Sequence, residues 1–428
     1  MQAQKRAIRE VTAFIEALQT TLRPTPPIGG RTQPDALVMF SREGRSITLV
    51  GESARKYQFI VGGLFDSLPG SRKAFIDRKT VERWVQVAII RVLGSPASDR
   101  PSRLKTAIQV LSQELAQAPT GWRVYFPVSG VSVGTRSRRF GGARFQDRTP
   151  PAVGALRSRG ARIIRQIRNA PEDKRAFLSH FSEVIDSALT DRSLAEVDVI
   201  AVDSESAQHL ARRRLRDTLD GLTFCDSLVT SPGVWAVPSI DGDERPLPPV
   251  AVFNGSDSVA ISGPDRTRFP VMLTRLFSAR RVALTRRISR LLNAATLTDD
   301  ERRIREAICW AGRASGRARP AEAFLFFLIA LETLMLGANE GALTYKLRVR
   351  CAHLLAKPAI ESRRQVSDRI ASLYGIRSAI VHKGVRDVSA DDLGSARLYA
   401  HRGILTAIYR RRARKQSFED WLEEQVLR

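Results

Sequence analysis

The chain has 428 residues and 43% hydrophobic content, an ordinary value for a globular protein of two or three domains. Its charge is unusual, because 69 basic against 44 acidic residues give a net charge of +25. A coding bias explains the preference for arginine over lysine, but the excess of positive charge itself favours a polyanionic partner: RNA, DNA or an anionic membrane surface.

Several classes of protein are poor matches to this sequence. Cys225, Cys309 and Cys351 are far apart and form no CxxC pair, which argues against a disulfide framework or a cysteine-rich zinc site. The N-terminus lacks the apolar segment of a secretory signal. The longest apolar run, Ala323–Leu336, is shorter than the roughly 20 residues of a membrane span and contains Glu332. We therefore expect a soluble cytoplasmic protein with no membrane segment.

Residues 1–120 are predicted to form a helix-rich region with one hairpin. An amphipathic helix is expected at 2–22, followed by a linker of composition RPTPPIGGRTQP. The segment ALVMFSREGRSITLV has two β-prone runs around a Glu-Gly turn and predicts a hairpin. Helices are expected at 72–94 and 103–117.

Residues 121–265 are predicted to form an α+β region. WRVYFPVSGVSV alternates like a strand, RSRRFGGARF resembles a turn into another strand, and AEVDVIAVDS predicts a further strand before the helix SESAQHLARRRLRDTLDGL. VWAVPSI, PPVAVFN and SVAIS are short strand candidates separated by Pro and Gly.

Residues 266–428 are predicted to be entirely helical, with a core at 300–413. The expected helices are 268–293, 298–316, 320–337, 341–357, 362–382 and 391–413. A capping box at Thr298 and Glu301, glycines at 337 and 384, and Ser389 supply end signals. The predicted fold class is therefore an α+β multidomain protein, in which a mixed α/β N-terminal region precedes a C-terminal all-α bundle.

The helix at 362–382 contains an arginine in its apolar row. Val366, Ile370, Leu373 and Ile380 share one face, and Arg377 lies in the same row. A charge at such a position needs a partner.

Glu332 is the one charge in AFLFFLIALETLML, and either Arg377 or Arg350 is a candidate to neutralise it. His382 is five residues beyond Arg377, about 140° around an ideal helix. The two side chains can share a site only along the edge of a face, or where the helix loosens before Gly384.

Three segments carry a resemblance to a known family. FLFFLIALETLML, RVRCAHLL and LYGIRSAIVHKG resemble the second, third and signature R-x(4–6)-H helices of HEPN domains, in the Apea-like branch. The resemblance covers about 300–413, roughly a quarter of the chain.

The resemblance implies a helical bundle that pairs as a homodimer and forms a composite RNase site that needs no metal or other cofactor. His382 would act as general acid or base on the 2′-hydroxyl or the leaving 5′-oxygen, and Arg377 would hold the scissile phosphate. Tyr374 would pack at the bundle or dimer surface. The resemblance also suggests a defence or abortive-infection effector, with a phage protein or an antitoxin as ligand of the N-terminal region.

Alternatives stay open at each of these residues. Active members of the family often carry Asn, Asp or His directly after the arginine, whereas this chain has Ser378, which hydrogen-bonds but carries no charge. Glu332 and Arg377 can form a structural pair, and His382 can simply cap the helix C-terminus. The first hypothesis is therefore a dimeric endoribonuclease. The second is a non-catalytic scaffold that binds RNA and dimerises, and the third is a DNA-binding regulator.

Two stretches are rich in arginine and nearly free of acids. The first spans 136–168 and the second 274–292. Such stretches give salt-dependent, largely sequence-blind contacts with phosphates, or form a solvated basic face. The candidate nucleic-acid-binding residues are Arg138, Arg139, Arg280, Arg281, Arg286, Arg287 and, beside the histidine, Lys383. The tail after residue 416 has apolar residues at helical spacing and is expected to dock on the protein.

Overall fold

The structure is a computed structural model. It describes residues 2–21, 37–40, 46–49, 51–147, 192–228, 238–240, 252–254, 258–260, 270–278, 280–316, 319–336, 343–357, 359–384, 387–409 and 416–427, with a few single positions between them. The chain is mostly helical, with a small antiparallel sheet and a C-terminal helical region, as an α+β class requires. It divides into two compact units, Met1–Val124 with Asp198–Arg212 and Tyr125–Val197 with Arg213–Arg428. The predicted linker lies outside the described residues.

The first unit is built largely from helices. They are α1 (Gln2–Thr21), α2 (Glu52–Asp66), α3 (Gly70–Lys73), α4 (Arg78–Leu93) and α5 (Arg100–Ala116). Their apolar faces form one core in which Val11, Tyr57, Val85 and Leu115 are fully buried. The predicted hairpin is confirmed, because β1 (Leu37–Phe40) pairs antiparallel with β2 (Ser46–Leu49).

The single helix predicted at 72–94 is wrong at its start. The chain forms α3, then leaves the helical path and begins α4 after Asp77. The Asp77 carboxylate accepts a hydrogen bond of 2.8 Å from the amide of Lys79 and so caps the new helix. The N-cap preference of aspartate therefore dominates over the helical periodicity around it.

The principal sheet contains strands that precede the long helix α6 (Ser204–Ser227) along the chain and one strand that follows it. Its strands are β3 (Thr120–Ser129), β5 (Arg138–Phe140), β6 (Ala143–Gln146), β7 (Ser193–Ala201) and β8 (Ser239–Ile240), in the order β5-β6-β7-β3-β8. The predicted turn in RSRRFGGARF is confirmed as the hairpin β5–β6, with Phe140 opposite Ala143. Gly141 has a φ of +54°, which glycine adopts without the strain of a side chain.

Strands also occur outside that sheet. β9 (Val252–Asn254) pairs with β10 (Ser258–Ala260), which confirms two of the short strand candidates. β4 (Val131–Ser132) pairs in parallel with β11 (Val271–Met272). The last pairing overturns the helix predicted from residue 268. Because the Val271 amide donates to the Gly130 carbonyl at 2.9 Å, the chain forms β structure here instead of a helix.

The remaining helices belong to the second unit. They are α7 (Leu273–Leu276), α8 (Val282–Asn293), α9 (Asp299–Ser315), α10 (Pro320–Met335), α11 (Leu343–Leu355), α12 (Arg363–Lys383), α13 (Ala390–Tyr409) and α14 (Phe418–Leu427). The capping box at Thr298 is confirmed, and Gly384 ends α12 in the left-handed conformation as predicted. α10 packs against α9 and α13, with Phe324, Phe327 and Leu331 fully buried.

The tail docks on the protein as expected. Phe418 and Leu422 are each 1% exposed, and the Phe418 amide donates to the buried carboxylate of Asp300 at 2.8 Å. This contact ties the start of α14 to the first turn of α9. The apolar spacing in the sequence therefore identified a packing face.

Helices α6 and α9 approach so closely that only glycine fits at residue 312. A Cβ atom built there would lie 1.9 Å from the backbone oxygen of Asp220. We expect Gly312→Ala to destabilise the protein by about 2–4 kcal/mol in urea unfolding, because one helix must move away from the other. Gly394→Ala is the matched control: it lies in α13 with no atom within 4 Å of its added Cβ, and should be neutral or slightly stabilising. Equal effects would show that this helix contact is not tight.

His401 is a buried histidine that the fold keeps neutral. It makes edge contacts with Phe224 and Phe327 and lies 3.4 Å from the Ser227 hydroxyl. Burial, with the nearby charge of Arg397, lowers the pKa of His401 to about 3 from 6.5.

The unfolded chain therefore binds a proton at His401 below pH 6.5 that the folded chain does not bind. We expect this contribution to stability to be complete above pH 6.5 and to fall with decreasing pH, by up to about 1.4 kcal/mol per pH unit. Urea unfolding of wild type and of His401→Leu, at several pH values between about 3 and 6.5, measures this contribution to stability. The difference between their free energies of unfolding should change with pH, and a constant difference would contradict the prediction.

Candidate functional site

Helix α12 presents the candidate residues on its last two turns. Ser362 opens the helix with a capping box, and Val366, Ile370 and Leu373 are fully buried, as the apolar row predicted. Further along the same row the burial decreases, because Arg377 and Ile380 are only partly buried. The buried part of α12 thus fixes the helix, and its C-terminal part carries the candidate residues.

Arg377 is held by two neighbours. Its Nε lies 3.5 Å from Oε1 of Glu332 on α10, and the two side chains are 29% and 19% exposed. Its guanidinium carbon lies 5.5 Å from the ring centroid of Tyr374, one turn earlier on α12. Of the two arginines proposed as partners of Glu332, Arg377 therefore forms the ion pair.

The pKa of Glu332 reflects a balance of opposing effects. Burial raises it above its usual value of 4.5, while the charge of Arg377 and a hydrogen bond with Tyr374 lower it. The pKa of Tyr374 is raised, first by burial and then by the Glu332 charge, and its hydroxyl also hydrogen-bonds with Thr344 at the start of α11. Glu332, Tyr374 and Arg377 therefore join three helices in one polar cluster.

His382, Ser378 and Lys383 are exposed at the end of α12. The helix continues to Lys383, so Arg377 and His382 are about 7.5 Å apart along its axis and about 140° apart around it. The last turn does loosen, because the Gly384 amide donates to the carbonyl of Ala379 rather than to that of residue 380. In a single copy the two side chains nevertheless leave the helix in different directions.

Arg350 contributes to a different part of the bundle. It is 4% exposed, donates to the Met335 carbonyl at 2.6 Å, and lies 3.6 Å from a carboxylate oxygen of Glu423 and 3.8 Å from one of Glu419. It therefore links the end of α10 to α14. The sequence pattern gave no sign of this role, because α14 is distant along the chain.

The predicted nucleic-acid-binding arginines lie on two elements of the second unit. Arg138 and Arg139 lie on β5, Arg286 and Arg287 on α8, and Arg280 and Arg281 just before α8. Arg139, Arg280, Arg286 and Arg287 are exposed, whereas Arg138 and Arg281 are partly buried. The structure describes little of the basic stretch after residue 147.

Sequence reasoning missed one cluster, formed by Asp217, Asp220 and Cys309 within 4.8 Å of one another. Arg313 forms ion pairs with both carboxylates: its Nε lies 2.8 Å from Oδ2 of Asp220, and its Nη2 lies 3.9 Å from Oδ1 of Asp217. Burial raises the pKa of the Cys309 thiol well above its ordinary value, so the sulfur stays protonated. The cluster is best explained as a charge-paired contact between α6 and α9.

None of the described helices has both the length and the apolar character needed to cross a membrane. No protein-family model matches the chain, and neither a curated protein nor a solved structure shows significant similarity to it.

The Glu332–Arg377 pair predicts a measurable coupling. Arg377→Met leaves a largely buried carboxylate without its cation, and should lower the free energy of unfolding by about 1–3 kcal/mol at neutral pH. Glu332→Gln in the same chain should recover part of the loss, giving a coupling of about 0.5–2 kcal/mol in a double-mutant cycle by urea unfolding.

The loss should also depend on pH. Without Arg377 the folded-state pKa of Glu332 rises further, so the deficit shrinks as the pH falls toward 4.5, where the carboxyl takes up its proton. Arg319 and Glu322 supply the control pair, since they are 81% and 40% exposed and should couple by less than about 0.5 kcal/mol. Similar coupling in both pairs would contradict the role given to burial.

Proposed function

We propose that the chain is a metal-independent endoribonuclease of the HEPN type, acting as a defence effector. The observation that carries the proposal is the arrangement at the end of α12. There a guanidinium held by Glu332 and Tyr374 lies on the same helix as an exposed histidine. A fixed cation and a proton-transfer group are what cleavage of RNA by its own 2′-hydroxyl requires.

The chemistry assigns a separate task to each residue. The 2′-oxygen attacks the adjacent phosphorus as its proton passes to one imidazole. The bond from phosphorus to the 5′-oxygen breaks, and the leaving oxygen takes a proton from a second imidazole. Arg377 stabilises the charge that develops on the phosphate oxygens. The products would be a 2′,3′-cyclic phosphate and a 5′-hydroxyl.

The geometry around α12 supports action as a homodimer. One copy supplies one His382, which leaves the helix about 140° from Arg377, whereas the chemistry uses an acid and a base. Exposed apolar side chains occur at this end of α12 and at the start of α11, where Thr344 lies beside Tyr374: Val381 is 51% exposed, Tyr345 67% and Leu343 42%. A second copy packed there would cover them and contribute its own histidine.

A non-catalytic RNA-binding scaffold is the second candidate, and two observations favour it. Arg377 already has a carboxylate partner, and the neighbouring Ser378 carries no charge. In that case the cluster would fix the bundle and its pairing without cleaving RNA. Removing His382 would then leave RNA binding and cell growth unchanged.

The test is RNA cleavage by purified protein in EDTA. We expect His382→Ala to slow cleavage by about 10²–10⁴-fold and Arg377→Ala by about 10²–10³-fold, with cyclic phosphate ends on the products. His209→Ala in α6 and Arg364→Ala, which is 93% exposed at the start of α12, are the matched controls and should cleave like wild type.

Induced expression of the same variants extends the test to cells. Growth arrest with fragmented RNA, lost in His382→Ala and Arg377→Ala but kept in both controls, supports the proposal. Cleavage that is identical in wild type and His382→Ala would refute it, as would cleavage abolished by EDTA. Intact RNA together with RNA binding by all variants favours the scaffold.

A further inference from the structure

Two basic stretches that are far apart in the sequence form one surface in the second unit. β4 pairs with β11 at Val131 and Val271, which brings the chain before α8 to the chain before β5. The Gly141 amide, in the β5–β6 turn, donates to the hydroxyl of Ser289 on α8 at 2.9 Å. We define the basic surface as the arginines of β5 and of α8 with the residues just before it: Arg138, Arg139, Arg280, Arg281, Arg286, Arg287 and Arg290.

Helix α8 separates its apolar and basic residues on opposite sides. The side packed on the protein consists of Thr285, Ile288, Leu291 and Leu292, all buried. Arg286, Arg287 and Arg290 are exposed on the other side, in accord with the helical repeat. Because Ile288, Leu291 and Leu292 are covered by protein, α8 lacks the broad apolar face with which a helix inserts into a lipid surface.

The two stretches of sequence that supply this surface contain no acidic residue. Neither residues 130–146 nor residues 270–297 contain an acid. The first acid beyond, Asp147, accepts hydrogen bonds from the amides of Val133 and Gly134 and the hydroxyl of Ser193. Within the described part of the chain, no ion pair involves an arginine of the basic surface. By contrast, Arg302, Arg319 and Arg364 each form an ion pair with a carboxylate.

Two of these arginines are partly buried. The guanidinium of Arg138 lies 5.8 Å from the ring centroid of Phe277, and its Nε is buried without a hydrogen-bond partner. One terminal nitrogen of Arg281, Nη1, is likewise buried without a partner. A partly buried guanidinium loses little freedom when its remaining N–H groups meet a phosphate, so binding there costs less entropy.

We propose that the basic surface binds the phosphate backbone of single-stranded RNA and holds the substrate while α12 acts on it. The choice of RNA rests on the proposed function, whereas the charge and its arrangement rest on the contacts above. Binding through phosphates is largely independent of sequence and releases condensed counterions, so it weakens steeply with salt.

The test measures binding of a fluorescein-labelled single-stranded RNA of mixed sequence by fluorescence anisotropy. The protein carries His382→Ala, so that cleavage does not interfere, and salt is varied from about 50 to 200 mM. Arg139→Gln, Arg280→Gln, Arg286→Gln and Arg287→Gln are combined, because all four side chains are exposed. We expect the slope of log K against log salt to lose about three units, and affinity at about 0.1 M salt to fall on the order of 100-fold.

A control variant with the same change in net charge separates the surface from the charge of the whole chain. Arg6→Gln, Arg302→Gln, Arg319→Gln and Arg364→Gln are combined, since each arginine pairs with a carboxylate three or four residues away along the chain. This control should keep most of the slope. Circular dichroism and thermal unfolding verify that both variants are folded.

The outcomes distinguish this inference from the proposed function. A slope that is unchanged in the surface variant, or reduced equally in the control, overturns the inference even if wild type cleaves RNA. A reduced slope confined to the surface variant supports the inference even if wild type leaves RNA intact. In that last case only the nuclease proposal fails.

Discussion

The burial of one carboxylate in an apolar helix constrains much of the second unit. α10 is the most apolar of the described helices, and Glu332 is the charge in its second half. Removing that carboxylate from water raises its pKa, and the charge of Arg377 offsets part of the effect. The buried apolar residues of α12 fix the helix, and the ion pair adds a second contact between α12 and α10. The position of α12 in turn determines where the exposed residues at its C-terminal end lie.

The C-terminal end of α10 is connected to α14 through two arginines. The last carbonyls of a helix lack partners within it. Here Arg303 donates to the carbonyls of Thr333 at 3.3 Å and Leu336 at 2.5 Å, and Arg350 donates to that of Met335. Both arginines also lie within 4 Å of carboxylates on α14. The docking of α14 is thus coupled electrostatically to the helix that carries Glu332.

Features set by neighbouring residues were predictable from the sequence. The apolar row of α12, the capping box at Thr298, the left-handed Gly384 and the hairpin β1–β2 all depend on residues close along the chain. Local patterns also sufficed to name the candidate site. They gave Arg377 and Arg350 as alternative partners of Glu332, because a charge in an apolar row needs a partner, and the structure selects Arg377.

Features set by residues distant along the chain were not predictable in the same way. Periodicity favoured a helix at 271–272, but the pairing with β4 decides the structure there. Nothing local shows that the α6–α9 contact requires Gly312, or that Arg350 holds α14. The two basic stretches were visible in the sequence, but their union into one surface depends on the β4–β11 pairing and on Ser289.

The ion pair with Glu332 is compatible with the proposed role of Arg377 at a phosphate, because a guanidinium has five N–H groups. The contact with Glu332 uses Nε, at 3.5 Å, and leaves the two terminal nitrogens for other acceptors. A phosphate at those nitrogens would add a second anion beside the carboxylate, which would raise the pKa of Glu332 further. Proton uptake by Glu332 would then free more of the guanidinium charge for the phosphate. The same ion pair that holds the bundle together can therefore respond to a bound anion without a change of fold.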